Sequence, residues 1–354
     1  NFNKDPIIPF HYQAIFDSID HDIYCGYLSL EIQQEIERKL KFKHNYIYTY
    51  HHNNKVIEIH LSICSKSNTI KKKWLFRVLK RIVFITLLSN NFKNYNTDKI
   101  IVNMTIVLTT IEKQINNTNY NKALLVLGSN EINSALATKY RNMDNTINYN
   151  KSNVVLYRSE ELNKLLLHEL IHYFEIDFNK INSDFLYNII NINKKNKILI
   201  NESYTEILAC ILNSFITSFE YNLNIDMALD MINYELKFNL LQCAKILKYY
   251  KFKNAYQLLN DNDNYNSNTK YQINQETSVL SYFFIKTALL FNFDLFLKFI
   301  HENTNYLVKN NKNIKDNYIS LIKSSITNTF FLDTLTKFMS IKSDNNLRMT
   351  CIEL

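Results

Sequence analysis

A chain of 354 residues with only two glycines and two prolines has to turn without the residues that turn most easily. Glycine enters the left-handed region without steric cost, proline stops helices, and together they normally mark where elements end. Asn is expected to take over, because it tolerates left-handed backbone better than other non-glycine residues. Asn, Ile, Lys, Tyr and Phe crowd the sequence. Their codons are AT-rich, so the bias reads as the mark of an AT-rich genome more than of a fold. Hydrophobic residues make up 46% and charged residues 21%, a balance that fits a folded chain of two or three lobes.

The formal charge of +8 is spread along the chain and not gathered in one tail, so it reads as solvated lysine faces. Cys25, Cys64, Cys210, Cys243 and Cys351 are odd in number, widely spaced and without a C-x-x-C pair. That argues against a disulfide framework and a cysteine zinc site, and suits a reducing, cytoplasmic compartment. No signal-peptide pattern opens the sequence, and a start at Asn1 instead of Met reads as a natural start lying further upstream. The apolar run 279–300 is interrupted by Lys286, Asp294 and Lys298, so a buried helix pair is expected there and no membrane span. The last four residues, CIEL, are a poor prenylation box, because Glu353 stands where an aliphatic residue is preferred.

Periodicity sets out the elements. Residues 28–43 have the spacing of an amphipathic helix, and the β-rich runs NYIYTY and KVIEIHLSIC flank HHNN as a hairpin flanks its turn. In 71–89, Lys73, Arg77, Lys80 and Arg81 share one helical face, and Leu75, Val78, Leu79, Ile82 and Val83 another. Such a helix packs on a sheet with its charges in water, the alternative being a basic nucleic-acid or membrane-surface module using Lys71 to Arg81. Strands are expected at 99–110, 122–127 and 152–158. The pattern turns helical after residue 200, and 261–271 is an Asn/Asp-rich polar break. The fold class expected is α+β, with a mixed sheet and a mostly helical C-terminal region. The boundaries read as a helical extension over 1–44, a catalytic domain over 45–225 and a helical region over 226–354.

The chemistry sits in LLLHELIHYF, residues 165–174. Ser159 is expected to cap this helix, with Glu160 and Glu161 in its first turn. His168 and His172, four apart, project from one face and can reach one metal ion. Glu169 is then the general base for a metal-activated water. The motif arises by chance in about one chain of this length per hundred, so its neighbours decide. A histidine at the sixth position after His172 would make one class of zinc site, but Phe178 stands there and Glu175 replaces that class's glycine. NESYTEILACILNSF, 201–215, offers Glu202 and Glu206 on one helical face. His51, His52 and His60 are weaker ligand candidates, the first two in the expected turn. No residue stands out as an oxyanion donor.

H-E-x-x-H followed by N-E-x-x-x-E resembles the gluzincin metallopeptidases, the thermolysin-like clan. The resemblance covers about residues 45–220 and implies a zincin-like domain. His168, His172 and Glu202 would be Zn2+ ligands, Glu169 the catalytic base, and Glu206 the acceptor of a ligand histidine's hydrogen bond. It also implies that Val154, Val155, Leu156 and Tyr157 form a substrate-binding edge strand beside the cleft. INSALAT, LYRSEELNKLLLHELIHYFEIDF and NESYTEILACILN together look like uncharacterised metallopeptidase-like proteins of giant DNA viruses, with Ala135 standing where that group leads one to expect glycine. This likeness points to a virion or the host cytoplasm. The function expected is peptide-bond hydrolysis on a peptide or protein substrate, with no nucleic-acid partner. The alternative within the same fold is an inactive structural or binding protein.

Overall fold

The computed structural model describes residues 2–4, 8–9, 28–52, 55–92, 99–115, 125–143, 147–260, 272–303 and 311–353. Cys25, Lys122 to Leu124 and the polar stretch 261–271 lie outside the described residues. The fold is α+β, and the chain divides into two compact units. One comprises Asn1–Glu112 and Ser134–Ile176, the other Lys113–Asn133 and Asp177–Ile352.

The first unit is built on a mixed sheet. β1 (Phe2–Lys4) and β2 (Ile8–Pro9) both pair with β3 (Phe42–His52), which forms an antiparallel hairpin with β4 (Lys55–Ser65). Alternation explains β4, since Ile57, Ile59, Leu61 and Ile63 are all buried and the residues between them are half-exposed. β5 (Lys99–Val107) lies parallel to β4, β7 (Asn153–Leu156) parallel to β5, and β6 (Ala135–Thr138) antiparallel to β7. The order is β1-β3-β4-β5-β7-β6. In the span expected to be a helical extension, the described residues hold β1, β2, the start of β3 and one helix, α1 (Leu30–Lys39). His51 and His52 belong to β3, opposite Val56 and Lys55, and not to the turn.

A parallel pair needs a crossover, and α2 (Lys72–Phe92) supplies it between β4 and β5. Leu75, Val78, Leu79 and Ile82 are buried, as the periodicity leads one to expect, whereas Val83 is half-exposed and Ile85 is buried in addition. Arg81 is a correction to the solvated basic face, because only 1% of its surface is exposed. Ser29 caps α1 by accepting from the Ile32 backbone N–H at 3.2 Å. Ile32 and Ile36 then join Leu28, Leu40, Cys64, Val107, Val155 and Tyr157 in one apolar cluster. Burial pushes the Cys64 thiol up to about 12, which leaves it an inert core residue.

The second unit is helical. α4 (Asn201–Glu220) and α5 (Ile225–Tyr249) are long, and after a π-helical stretch, Leu280–Ile285, come α6 (Lys286–Phe291), α7 (Phe293–Asn303), α8 (Lys312–Ile326) and α9 (Thr329–Phe338). α3 (Leu162–Tyr173) belongs to the first unit. The run 279–300 is therefore a broken helix pair, and no helix of the described residues is long and apolar enough to cross a membrane. The strand expected over 122–127 is not formed by its described residues, where Leu127 makes a single bridge to Gln275.

Asn does take over punctuation, though mainly at helix starts. Asn224, Asn311 and Asn328 accept backbone N–H bonds at the beginnings of α5, α8 and α9, and Asn254 does so for the short turn Ala255–Leu258. Left-handed backbone falls on Glu161, Glu175, Asn222 and Lys251, so only one of these four is Asn. A Cβ at Gly128 would lie 2.6 Å from Glu276 Oε2, the tip of an exposed side chain that can move aside.

Glu35 pins α1 to the sheet. Its carboxylate, almost without exposed surface, accepts from Lys66 Nζ at 2.9 Å and from the Thr110 backbone N–H and hydroxyl at 3.0 and 2.7 Å. Burial alone would push this carboxyl up, but those hydrogen bonds outweigh it and hold it below its ordinary value. The stabilisation is thus fully present above the unfolded value of about 4.3 and is lost as pH falls through the folded value. Glu35→Gln is expected to reduce the unfolding free energy by about 1–3 kcal/mol near neutral pH. Denaturation of both proteins at about pH 7 and pH 4 should show that gap narrowing on acidification, and a widening gap would reverse the assignment.

Candidate metal centre

The helix that carries H-E-x-x-H is set by the strand before it. After β7 the chain turns at Tyr157, whose N–H bonds the Ser134 carbonyl at 2.9 Å. Ser159 does not cap the helix. Its hydroxyl donates to Thr109 O at 2.5 Å and its N–H bonds the same oxygen at 3.1 Å. The helix begins at Leu162 instead, with Glu161 at the cap position in left-handed backbone at φ 60°. Its far end is a Schellman turn. Glu175 N–H bonds His172 O and Ile176 N–H bonds Ile171 O, both at 3.0 Å. The turn requires a left-handed residue, and Glu175 fills that place at φ 52° where glycine is usual.

Within α3 nearly every side chain is buried, including Lys164, His168 and Glu169. His168 is 4% and Glu169 6% exposed, while His172 is half-buried. The two rings meet edge to face, with centroids 4.7 Å apart at 80°. Their Nε2 atoms are 3.1 Å apart. A tetrahedral ion with bonds of about 2.0–2.1 Å has neighbouring donor atoms about 3.3–3.4 Å apart. The two imidazoles therefore already span one edge of such a tetrahedron to within a few tenths of an ångström.

Glu202 falls in the first turn of α4, where the helix dipole favours its negative charge. Asn201 Nδ2 donates to its Oε1 at 3.4 Å. His168 and His172 stand in the first unit and Glu202 in the second. His60 meets Glu58 Oε1 at 2.8 Å. Glu206 is buried, with its Oε2 3.3 Å from Lys286 Nζ.

The substrate-binding strand requires correction. Val154, Val155, Leu156 and Tyr157 do not form an edge. β7 is paired on both sides, by β5 and β6, and all four side chains are buried. The outermost strand is β6, whose residues are all half-exposed. The sequence offers little warning, because Ala-Leu-Ala-Thr is short and poor in β-formers. Just beyond β6 lies a cluster that sequence reading missed. Lys139 Nζ donates to the His172 carbonyl at 3.1 Å and lies 3.6 Å from Glu175, and Arg141 also pairs with Glu175. The signal available was two cations after INSALAT and an acid three residues after His172, but nothing in the spacing joins them.

No family model matches the chain. An uncharacterized protein of Acanthamoeba polyphaga mimivirus is 30% identical over 202 residues, which is 55% of this chain and 48% of that protein. The chain thus spans about half the length of this relative.

The Schellman turn makes position 175 sensitive to shape before charge. Glu175→Asn keeps a residue that accepts left-handed backbone and loses only partly exposed ion pairs, so stability should change by less than about 1 kcal/mol. Glu175→Val should cost about 1–2 kcal/mol more, because a β-branched side chain is strained there. Thermal unfolding of the two variants checks this, and equal stabilities would reject the backbone argument.

Proposed function

We propose that the protein is a zinc-dependent metallopeptidase of gluzincin type. The observation that carries this reading is the pair of imidazole nitrogens 3.1 Å apart on a buried helix, with Glu169 next to the first of them. His168, His172 and Glu202 would hold the metal. Two histidines and a carboxylate leave a fourth position open, the donor set of a catalytic more than a structural zinc. When bound, zinc polarises a carbonyl oxygen and acidifies water to a pKa of about 7.

The chain's own residues supply the rest. Glu169 takes the proton of the attacking water and passes it to the nitrogen of the leaving amine. On the gluzincin pattern Glu206 would accept the N–H of a ligand histidine and so select its tautomer. β6 replaces β7 as the strand against which an extended substrate backbone pairs. The odd count and wide spacing of the cysteines suit a reducing compartment such as a host cytoplasm. The relative from a giant virus is in keeping with a viral protein.

Metal analysis combined with a peptide-cleavage assay tests the assignment. Wild-type protein should carry one zinc per chain, and His168→Ala and Glu202→Ala should lose it. Glu169→Gln should keep the zinc and lose about 10²–10⁴-fold in cleavage rate. Purified protein without zinc sinks the reading. Stoichiometric zinc with no cleavage of any peptide would instead favour an inactive zincin-fold protein.

A further inference from the structure

Lys286 has no exposed surface. Its ammonium nitrogen lies 3.3 Å from Glu206 Oε2 and 2.8 Å from the carbonyl oxygen of Met349. Burying two charges costs several kcal/mol per ion before their attraction is counted, and well-packed hydrophobes of similar volume are often as stable or more so. The surroundings would suit hydrophobes, since Phe283, Phe284, Leu289 and Leu290 are all buried nearby in sequence. Stability of the fold alone therefore gives no account of the pair.

The backbone beside it is unusual as well. Leu280–Ile285 is π-helical and runs directly into Lys286. π turns are rare and recur at functional sites. One extra residue in a helical turn rotates everything after it by about 100° around the axis, so this stretch sets which way Lys286 faces. Its partner Glu206 follows Glu202 by four residues on α4, hence on the same face one turn along.

Behind Lys286 lies an extended segment, Asp344–Ile352. Glu235 of α5 accepts from the Thr350 hydroxyl and from the N–H groups of Cys351 and Ile352 at 3.0 and 3.1 Å. Asn213 of α4 donates to Ile352 O at 3.1 Å. Lys245 of α5 donates to Asp344 Oδ1 and Asn346 O at 2.6 and 2.7 Å. Met349 O, the oxygen that Lys286 holds, is thus fixed from both sides along the chain.

We infer that Lys286 is a positioning residue for the metal centre proposed above, on which this inference rests. It compensates the charge of Glu206, fixes its carboxylate in place, and through that anchor holds the face of α4 that bears Glu202. Segment 344–352 is the outer support that keeps Lys286 in position.

The test compares zinc affinity in the full-length chain, by competition with a chromophoric chelator, for wild type, Lys286→Met, Lys286→Met/Glu206→Gln and Lys245→Met. Lys245→Met also releases the extended segment but leaves the partner of Glu206 intact, so it controls for loosening of the fold. Lys286→Met should weaken zinc binding about 10–100-fold and shift the visible absorption bands of the cobalt(II) form. Lys245→Met should leave both within about twofold, even where it lowers the melting temperature. Wild-type affinity and spectrum in Lys286→Met overturn the inference, and so does an equal loss in Lys245→Met. If Lys286→Met does not fold, the charge-neutral double variant carries the test, and wild-type zinc affinity there is the overturning result. Wild type that binds no zinc overturns the inference together with the reading beneath it. Zinc-binding wild type whose affinity ignores position 286 overturns the inference alone.

Discussion

A polar group placed below the surface must find a partner, because leaving it without one costs more than a single contact returns. That constraint governs both helices that carry the proposed ligands. α3 buries ten of its twelve residues, among them Lys164, His168 and Glu169. α4 buries Ser203, Thr205, Glu206, Asn213, Ser214 and Thr217. Neither helix has a polar face turned to water in the usual amphipathic sense. On α4, Ser203, Thr205 and Glu206 each meet specific atoms instead. Ser203 donates to Ile200 O and meets the Tyr318 hydroxyl at 2.8 Å, Thr205 donates to Asp177, and Glu206 pairs with Lys286. A helix tied down in this way can hold a carboxylate within a few tenths of an ångström, which is what coordination chemistry demands of a ligand.

The scarcity of glycine then acts at the ends of the site helix. α3 is bracketed by two left-handed glutamates, Glu161 before it and Glu175 after it. Each costs about 1–2 kcal/mol relative to glycine. Such strain persists only where the surroundings over-determine it, and it clusters at functional sites. The surroundings here are specific. Ser159 is bound twice to Thr109 O at the start, and the His172 carbonyl receives both Glu175 N–H and Lys139 Nζ at the end. Both termini of the helix are fixed to the same sheet that carries β6 and β7.

Regular repetition was legible in the sequence, and long-range pairing was not. The β3–β4 hairpin, the crossover helix α2, β5 and the step from β7 into α3 all follow from periods of two or 3.6 residues. His168, His172 and Glu202, the donors proposed above, stand out in the sequence because H-E-x-x-H and N-E-x-x-x-E are themselves chemical patterns. β6 was missed because its four residues have weak β-propensity and form a strand only through pairing with β7. The run 122–127 was over-read, since apolar content alone does not separate a strand from an irregular buried segment. Arg81 looked solvated by its helical face, yet burial depends on what packs against that face. Lys286 looked like a break in an apolar run, and its partner lies eighty residues earlier in the chain.

Moving the sheet edge from β7 to β6 also changes how substrate and metal would be coupled. A peptide paired to β7 would need its own contacts to register against the histidines. On the proposed reading β6 would provide that register through the protein. It continues into Lys139, whose ammonium is bonded to the carbonyl of His172. The strand proposed to hold substrate and the residue proposed to hold metal are thus joined by one hydrogen bond of 3.1 Å. Lys139 and Arg141 share Glu175, and Glu175 is the residue that closes the Schellman turn after His172. Strand end, helix end and ion pairs meet at one corner. Reactions that depend on placing a scissile bond to within about an ångström need a corner of this kind more than they need any one of its members.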